Sequence, residues 1–347
     1  MATSSQGEGQ PNIPTSTMAS EQSNNSDGAA GPSGIPRAVP VPKQRPVPLT
    51  RQVVFDLGIT GLENECHILR ISASRLDVPV NEEYFNKYVL PKREISYWVQ
   101  EIFKYSVQGD NLYRNGVQLP TLRIRQALSE FLEFLGDEPV TLIAHHSRRI
   151  DFPVLYNAMK ACDMLPEFEK KATGFVDTLP LFRGVWQDFG PYRLRTLYGK
   201  LFPREEQNIS NVMVLKTLVG HPDVTDEAVS KHSFDFTYVA QAAKRSFEKK
   251  SNLPSWKPLI TSRFVSKSMA QRAAASGLAV HHLLLAYEWG EEQGVLDVLT
   301  EITSDGKPRV TKDKKVLEKI VSFITKGSFD DEQENESLED EDDFYQN

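Results

Sequence analysis

Apolar positions alternate with polar ones, or run without a break, through the first half of the chain. Residues 51–57, 66–76 and 84–90 carry this pattern, and the short connections between them predict an antiparallel meander of three strands. The continuous apolar run at 140–144 is typical of a strand buried on both faces. A further short strand is predicted at 174–176, so the sheet should combine antiparallel and parallel strands.

Apolar residues at helical spacing fill the segments around and after these strands. Residues 121–135 place their apolar side chains on one face of a helix. Helices are also predicted at 151–161, 194–201 and 232–248. Three strands followed by alternating strands and helices predict an α/β fold, with a mixed sheet and flanking helices, at about 50–250.

The character of the sequence changes after Pro254. Gly290 separates two predicted helices, and Thr311 is a candidate N-cap for the last one. We therefore expect a small helical appendage at 255–326. Its predicted helices are 266–276, 280–288, 291–301 and 311–325.

Both ends of the chain differ from this folded part. Residues 1–49 are rich in Pro, Ser and Gly, and residues 328–347 are acidic. Neither segment has enough large apolar side chains to offset the entropy lost on ordering, so both are expected to be disordered. Within the first, the proline-rich stretch 36–48 is predicted to be an extended linker.

The net charge is unevenly distributed. The 347-residue chain has 40 Lys and Arg against 47 Asp and Glu, which gives a formal net charge of −7. Residues 330–347 contain ten acids and no base, while residues 1–50 balance three acids with three bases. Residues 51–329 therefore carry a net charge of +3, so the acidic composition does not argue against a nucleic-acid partner.

Several classes of protein are disfavoured by composition. The chain has only two cysteines, Cys66 and Cys162, so neither a disulfide framework nor a cysteine-based zinc site is expected. No apolar run approaches the roughly 20 residues that span a membrane, and the start of the chain has no signal-peptide pattern. We expect a reducing compartment, either nucleus or cytoplasm.

The residues able to carry chemistry follow the predicted strands. Asp56 ends the first strand and is followed by Thr60-Gly61-Leu62. Asp151 comes after the strand at 140–144, Asp177 after the strand at 174–176, and His232 opens a predicted helix.

These residues lie in segments that resemble a known family. Residues 53–62 (VVFDLGITGL) resemble the first motif of the DEDDh 3′–5′ exonucleases, and 142–155 (LIAHHSRRIDFPVL) resemble the second. Residues 176–183 (VDTLPLFR) resemble the segment that joins the second and third motifs, and 231–240 (KHSFDFTYVA) resemble the third. The resemblance covers about 51–248. It is strongest to the exonuclease-like domain of promyelocytic leukaemia proteins, and it extends to the three-prime repair exonucleases.

The resemblance implies a ribonuclease-H-like fold and a particular site. In that family four carboxylates hold two divalent ions, usually Mg²⁺, about 3.5–4 Å apart, and a histidine is the general base. Asp56 and Asp151 match two metal ligands, and His232 matches the histidine. The other two acids are replaced by Gly58 and Thr237, and a bulky Phe234 stands where a small residue is expected. The resemblance therefore implies a site that does not support normal two-metal hydrolysis.

Simpler roles compete with this interpretation. Asp151 and Asp177 each precede a helix and suit an N-cap, and a lone His232 suits an ordinary surface position. A replacement acid from Glu63, Glu65 or Asp235 would instead preserve activity, although Asp235 points about 200° away from position 237 on a helix. The adjacent pairs His145-His146 and His281-His282 are poorly placed to share a metal.

A basic and aromatic stretch is the second candidate for function. Its arginines are interleaved with Trp186, Tyr192 and Tyr198, a pattern that suits phosphate contacts and base stacking. The alternative is an amphipathic helix whose rings are core and whose charges are solvated. The sequence therefore leaves three hypotheses for function. The chain is a degenerate exonuclease that binds nucleic acid or a protein partner, an active exonuclease with altered metal ligands, or a scaffold. The candidate nucleic-acid contacts are Arg148, Arg149, Arg183, Arg193 and Arg195.

Overall fold

The computed structural model describes residues 34–61, 66–79 and 84–326. Its strands are β1 Arg51–Ile59, β2 Ile68–Arg75, β3 Tyr84–Val89, β4 Tyr105–Gln108, β5 Asn111–Arg114, β6 Val117–Gln118, β7 Thr121–Leu122, β8 Val140–Ala144, β9 Ala172–Asp177 and β10 Ser233–Phe234. Its helices are α1 Tyr97–Phe103, α2 Ile124–Leu135, α3 Asp151–Ala161, α4 Leu165–Lys171, α5 Thr178–Val185, α6 Leu194–Leu201, α7 Asn211–Val219, α8 Asp226–Lys231, α9 Phe236–Asn252, α10 Lys257–Thr261, α11 Lys267–Ala275, α12 Val280–Thr300 and α13 Lys314–Thr325.

Seven strands form one mixed sheet in the order β10-β9-β8-β1-β2-β3-β7. The strands β1, β2 and β3 pair antiparallel, whereas β8 and β9 continue the sheet parallel to β1. The predicted α/β class is confirmed, as is the order of meander and parallel strands. This topology brings the ends of β1 and β9 to one side of the sheet, where the predicted site residues lie.

Helices cover both faces of this sheet. One face packs Phe55 and Leu142 against Phe131 of α2 and Phe152 of α3. On the other face the buried residues of β1, β8 and β9 pack against α5, α6 and α7. Every residue of β8 is buried because helices lie on both sides of it, which accounts for its uninterrupted apolar sequence.

The C-terminal helices enclose a separate apolar core. Trp256, Leu283 and Ile320 are among its fully buried residues. The predicted break at Gly290 is present as a kink inside α12, where Gly290 and Glu291 leave helical geometry. The predicted N-cap Thr311 is wrong: Asp313 caps α13 and accepts from the backbone N–H groups of Lys315 and Val316. The domain boundary near residue 255 stays a prediction.

Residues 34–50 form an extended segment that we call the strap. Its prolines exclude regular structure, as predicted, yet the strap is held to both parts of the molecule. Near one end the backbone N–H of Val39 donates to the Ser276 carbonyl at 3.0 Å. Near the other, the N–H of Val47 donates to the Ser233 hydroxyl at 2.8 Å. The prediction of a disordered segment therefore fails for 34–49, because its backbone polar groups find fixed partners; 1–33 and 328–347 lie outside the described residues.

A small insertion separates β3 from β7. The helix α1 and the three-stranded sheet β4-β5-β6 pack a local core on Leu69 of β2, including Tyr105 and Leu112. None of these elements is predicted from the sequence, since each strand has only two to four residues. The insertion matters because it covers one side of the predicted site.

Candidate functional site

Asp56 lies near the end of β1 and forms an ion pair with Arg70 of β2. The guanidinium Nη2 of Arg70 donates to the Asp56 carboxylate at 2.6 Å, and the two side chains are 14% and 23% exposed. Burial disfavours the charged guanidinium, but the Asp56 carboxylate outweighs it and the pKa of Arg70 is raised. A fixed cation therefore occupies the flank of the first predicted metal ligand.

Gly58 lies directly opposite Arg70 in the β1–β2 register. A Cβ atom at position 58 would come within 3.1 Å of the Arg70 Cβ and 3.7 Å of the Tyr105 hydroxyl. The ladder shifts register between Gly58 and Ile59, immediately after this pair. A side chain at position 58 would therefore require Arg70 to move by a few tenths of an ångström.

Asp151 is the first residue of α3 and lies close to Asp56. Its carboxyl group accepts a hydrogen bond from the backbone N–H of Leu57 in β1. Burial, together with the negative charge of Asp56, raises the pKa of Asp151 well above its ordinary value. The N-cap interpretation of Asp151 is not borne out, because Ile150 occupies the N-cap position and no side chain caps α3.

The hydrogen bonds and exposure of the other predicted residues are local to their own elements. His232 ends α8 instead of opening a helix, and its Nδ1 bonds the Ala228 carbonyl at 2.8 Å. No hydrogen bond or ion pair joins His232 to Asp56 or Asp151 within the described residues. Thr237 lies exposed in the first turn of α9.

The candidate replacement acids do not complete the site. Asp235 is the N-cap of α9 and accepts from the Tyr238 N–H at 2.9 Å. Glu63 and Glu65 lie outside the described residues. Across 34–61, 66–79 and 84–326, no group of three or more His, Cys, Asp or Glu side chains is arranged to hold a metal ion. The described residues therefore do not fit the two-Mg²⁺ site that the resemblance implies.

Comparisons with known proteins bear on both parts of the chain. Residues 252–326 match the family model described as PML, C-terminal domain. This match confirms the resemblance to promyelocytic leukaemia proteins for the helical appendage, and it does not reach residues 51–248. No curated protein matches the sequence.

Solved structures that resemble the chain are exonucleases. Exonuclease X in complex with 5′ overhanging duplex DNA is 18% identical, with a TM-score of 0.33 over 52% of this chain and 98% of its own. The E. coli exonuclease I complex with a dA16 oligonucleotide is 11% identical, with a TM-score of 0.40 over 65% of this chain and 50% of its own. A moderately thermophilic exonuclease I from Methylocaldum szegediense is 11% identical, with a TM-score of 0.42 over 62% and 46%. The chain spans about half the length of these exonuclease I structures.

Hydrogen bonds connect the turn after β8 to the start of α5. The His145 Nδ1 lies 2.9 Å from the Thr178 hydroxyl, and the ring also bonds the Tyr192 carbonyl. Burial lowers the pKa of His145 to about 4, although the nearby Asp177 carboxylate acts in the opposite direction. Asp177 caps α5 as predicted, accepting from Leu179 N–H at 3.0 Å. The second oxygen of Asp177 accepts from the Arg148 N–H at 3.2 Å, so these side chains tie the turn between β8 and α3 to α5.

Three of the five candidate nucleic-acid arginines are held in internal contacts. Arg148 lies over the rings of Phe234 and Tyr238, at 4.7 and 5.3 Å. Arg195 donates to the carbonyls of Gln207 and Ile209. Arg183 lies 5.8 Å from the Tyr192 ring.

The rings interleaved with these arginines are mostly core. Trp186 and Tyr198 are buried, and the Tyr192 hydroxyl donates to backbone carbonyls. The amphipathic alternative is therefore correct for the rings, while Arg149 and Arg193 remain on the exposed surface. Within the described residues, no helix is long and apolar enough to cross a bilayer.

Arg70 is the residue that most changes this site, and it is not among the site residues predicted from the sequence. A charged residue between apolar neighbours on a half-buried strand was the available signal, because such a charge is seldom buried without a partner.

Proposed function

We propose that this chain is a degenerate 3′–5′ exonuclease homologue that does not hydrolyse nucleic acid by the two-metal route. The observation that carries the proposal is the 2.6 Å ion pair between Arg70 and Asp56. The guanidinium neutralises the carboxylate that would otherwise bind a metal ion. The protein then acts by binding nucleic acid or a protein partner.

Charge balance at the site supports this proposal. Mg²⁺ needs several oxygen ligands in near-octahedral geometry and attracts carboxylates through its two positive charges. Here one of the two retained carboxylates is already paired, and the other, Asp151, has a raised pKa that favours its protonated form. Binding a divalent ion would require breaking the Arg70–Asp56 ion pair and deprotonating Asp151. Gly58 and Thr237 would contribute no ligand.

A digestion assay tests the loss of hydrolysis. The full chain is incubated with Mg²⁺ or Mn²⁺ and 3′-labelled single- and double-stranded DNA and RNA, and no release of label above the buffer background is expected. Asp56→Asn is the diagnostic variant, and Asp110→Asn, in the exposed β4–β5 turn, is its matched control. Robust cleavage that Asp56→Asn abolishes and Asp110→Asn leaves intact would overturn the proposal and favour the active enzyme.

Nucleic-acid binding is the first arm of the proposed activity. Arg149 and Arg193 are exposed on a part of the chain with a net positive charge. Binding through such residues should weaken steeply with salt, because each phosphate contact releases counterions. Fluorescence anisotropy with labelled oligonucleotides at 50 and 200 mM salt measures this, with Arg149→Gln expected to weaken binding and reduce the salt slope.

A scaffold function is the alternative outcome of the same measurement. If no oligonucleotide binds even at low salt, both to the full chain and to a form lacking 328–347, the nucleic-acid arm is wrong. The protein-partner arm, in the nucleus or cytoplasm, would then remain.

A further inference from the structure

A cleft opens between the strap and the start of α9. It encloses about 220 Å³ and is lined on one side by Lys43 and Arg45 of the strap. On the other side it is lined by Thr237, Tyr238 and Gln241, with Ser304 of the helical appendage at one end. The strap is fixed at that end of the cleft, since the Val41 N–H donates to the Ser304 hydroxyl at 2.8 Å.

The cleft is basic and its charges are not balanced. Lys43 and Arg45 are exposed, and neither forms an ion pair with any residue in 34–61, 66–79 or 84–326. The single acid in the lining is Asp235, whose Oδ1 is engaged in capping α9. The position at which an exonuclease would carry its fourth acid, Thr237, therefore faces two cations across a cavity. Such a cavity suits an anionic ligand.

The C-terminal segment of this chain is an anion of matching chemistry. Ten of its residues between 330 and 343 are acidic, and it contains no base. Acidic side chains on an extended backbone alternate in direction, so several carboxylates can meet the two cations without a fixed register.

The geometry allows this segment to reach the cleft. The appendage lines the cleft at Ser304, and α13 begins ten residues later. A twelve-residue helix is about 18 Å long, and the chain from 327 to 343 extends to roughly 55 Å. The described part of the chain ends at Lys326, so the acidic residues have enough length to return along α13.

We propose that the acidic C-terminal segment docks into this cleft as an intramolecular ligand. Its carboxylates pair with Lys43 and Arg45, and the segment covers the exposed Thr237. Because Lys43 and Arg45 are exposed, docking is reversible and weakens as ionic strength rises. The proposal does not depend on whether the chain binds or cleaves nucleic acid.

Zero-length cross-linking of the full chain tests the contact. A water-soluble carbodiimide activates carboxylates and joins them to amines only in direct contact, and mass spectrometry locates the linked peptides. A cross-link between Lys43 and residues 330–343 is expected at low salt and should be lost in 1 M salt. Cross-links spread evenly over exposed lysines such as Lys170, Lys257 and Lys319, with no preference for Lys43, would overturn the proposal.

A binding measurement keeps the test independent of cross-linking efficiency. A labelled peptide with the sequence 328–347 is titrated into the chain shortened to 1–327, and anisotropy is recorded. Lys43→Gln with Arg45→Gln should weaken binding about five- to tenfold, since two exposed ion pairs are lost. The matched control, Lys257→Gln with Arg263→Gln, removes two exposed cations of α10 and its following turn and should change little.

Equal binding by both double variants and the parent would sink the proposal. A labelled oligonucleotide that required Lys43 and Arg45 while the peptide did not would also overturn it, because the cleft would then belong to another anion.

Discussion

Arg70 and Gly58 depend on each other at the residue scale. A side chain at 58 would press on Arg70, with a Cβ–Cβ distance of 3.1 Å, and the Arg70 guanidinium is held in turn by Asp56. A side chain at 58 and the Arg70 side chain would therefore compete for the same space in the β1–β2 ladder.

Replacing Arg70 tests how much the Arg70–Asp56 ion pair contributes to the free energy of unfolding. Arg70→Ala leaves the mostly buried Asp56 carboxylate unpaired, and we expect unfolding to become easier by about 2 kcal/mol. Asp56→Asn in the same background should recover part of that loss. Urea denaturation of the four members of the cycle measures the coupling, and Arg75→Ala, which breaks the more exposed pair with Asp77, is the control. Equal losses for Arg70→Ala with and without Asp56→Asn would show that the pair contributes nothing.

His145 should make the fold sensitive to mild acid. Its pKa is about 4 in the folded protein and about 6.5 when unfolded, so the unfolded state takes up a proton first as the pH falls. The contribution of neutral His145 to the free energy of unfolding is therefore fully present above pH 6.5. It declines between pH 6.5 and pH 4, by up to about 3 kcal/mol. His145→Asn should be less stable at pH 7.5 but should lose less on acidification to pH 4.5. Identical pH profiles of unfolding for both proteins would contradict this assignment.

The helix α12 contains one residue, Glu291, in a strained backbone conformation. Glu291 adopts φ 52° and ψ −143°, a conformation that glycine tolerates and other residues seldom adopt. We expect Glu291→Gly to stabilise the protein by about 1 kcal/mol. Glu292→Gly, one residue further and in helical geometry, should destabilise it by up to about 1 kcal/mol. Thermal unfolding of the two variants separates the outcomes, and a loss of stability in Glu291→Gly would contradict the claim.

Elements that depend on neighbouring residues could be predicted from the sequence, whereas contacts between residues distant in the sequence could not. The kink at Gly290 and the all-buried strand β8 follow from local sequence, and so were predicted. The Arg70–Asp56 pair depends on the register of β1 and β2, which the local sequence does not reveal. The predicted helix began at 232, but the Asp235 cap makes α9 begin at Phe236. The β4-β5-β6 insertion escaped prediction because its strands are too short for a period to show.

Across the whole molecule, the strap contacts residues that lie far from it in the sequence. Val41 bonds a residue 263 positions away, and Val47 bonds one 186 positions away. Local composition cannot reveal such contacts, so a proline-rich segment was predicted to be a linker. In the structure it ties the sheet edge at β10 to the helical appendage.

Breaking the strap should uncouple the two apolar cores. Val39 is 5% exposed, its carbonyl accepts from Arg245 Nη1 at 2.7 Å, and its N–H bonds Ser276. Val39→Asp places a carboxylate in this contact, at a cost of about 2–4 kcal/mol. We expect calorimetry to show one unfolding transition for the parent and two for this variant, since each core keeps its own packing.

Val107→Asp is the matched control for that experiment. Val107 is 41% exposed in β4, so the same substitution should leave a single transition near the parental temperature. If Val39→Asp also unfolds in one transition, merely shifted to lower temperature, the cores are coupled through the α9–α11 interface and the strap only adds to it. Two transitions in the variant would instead make the strap the coupling element, so that any ligand or modification releasing residues 34–50 would also loosen the appendage from the exonuclease-like sheet.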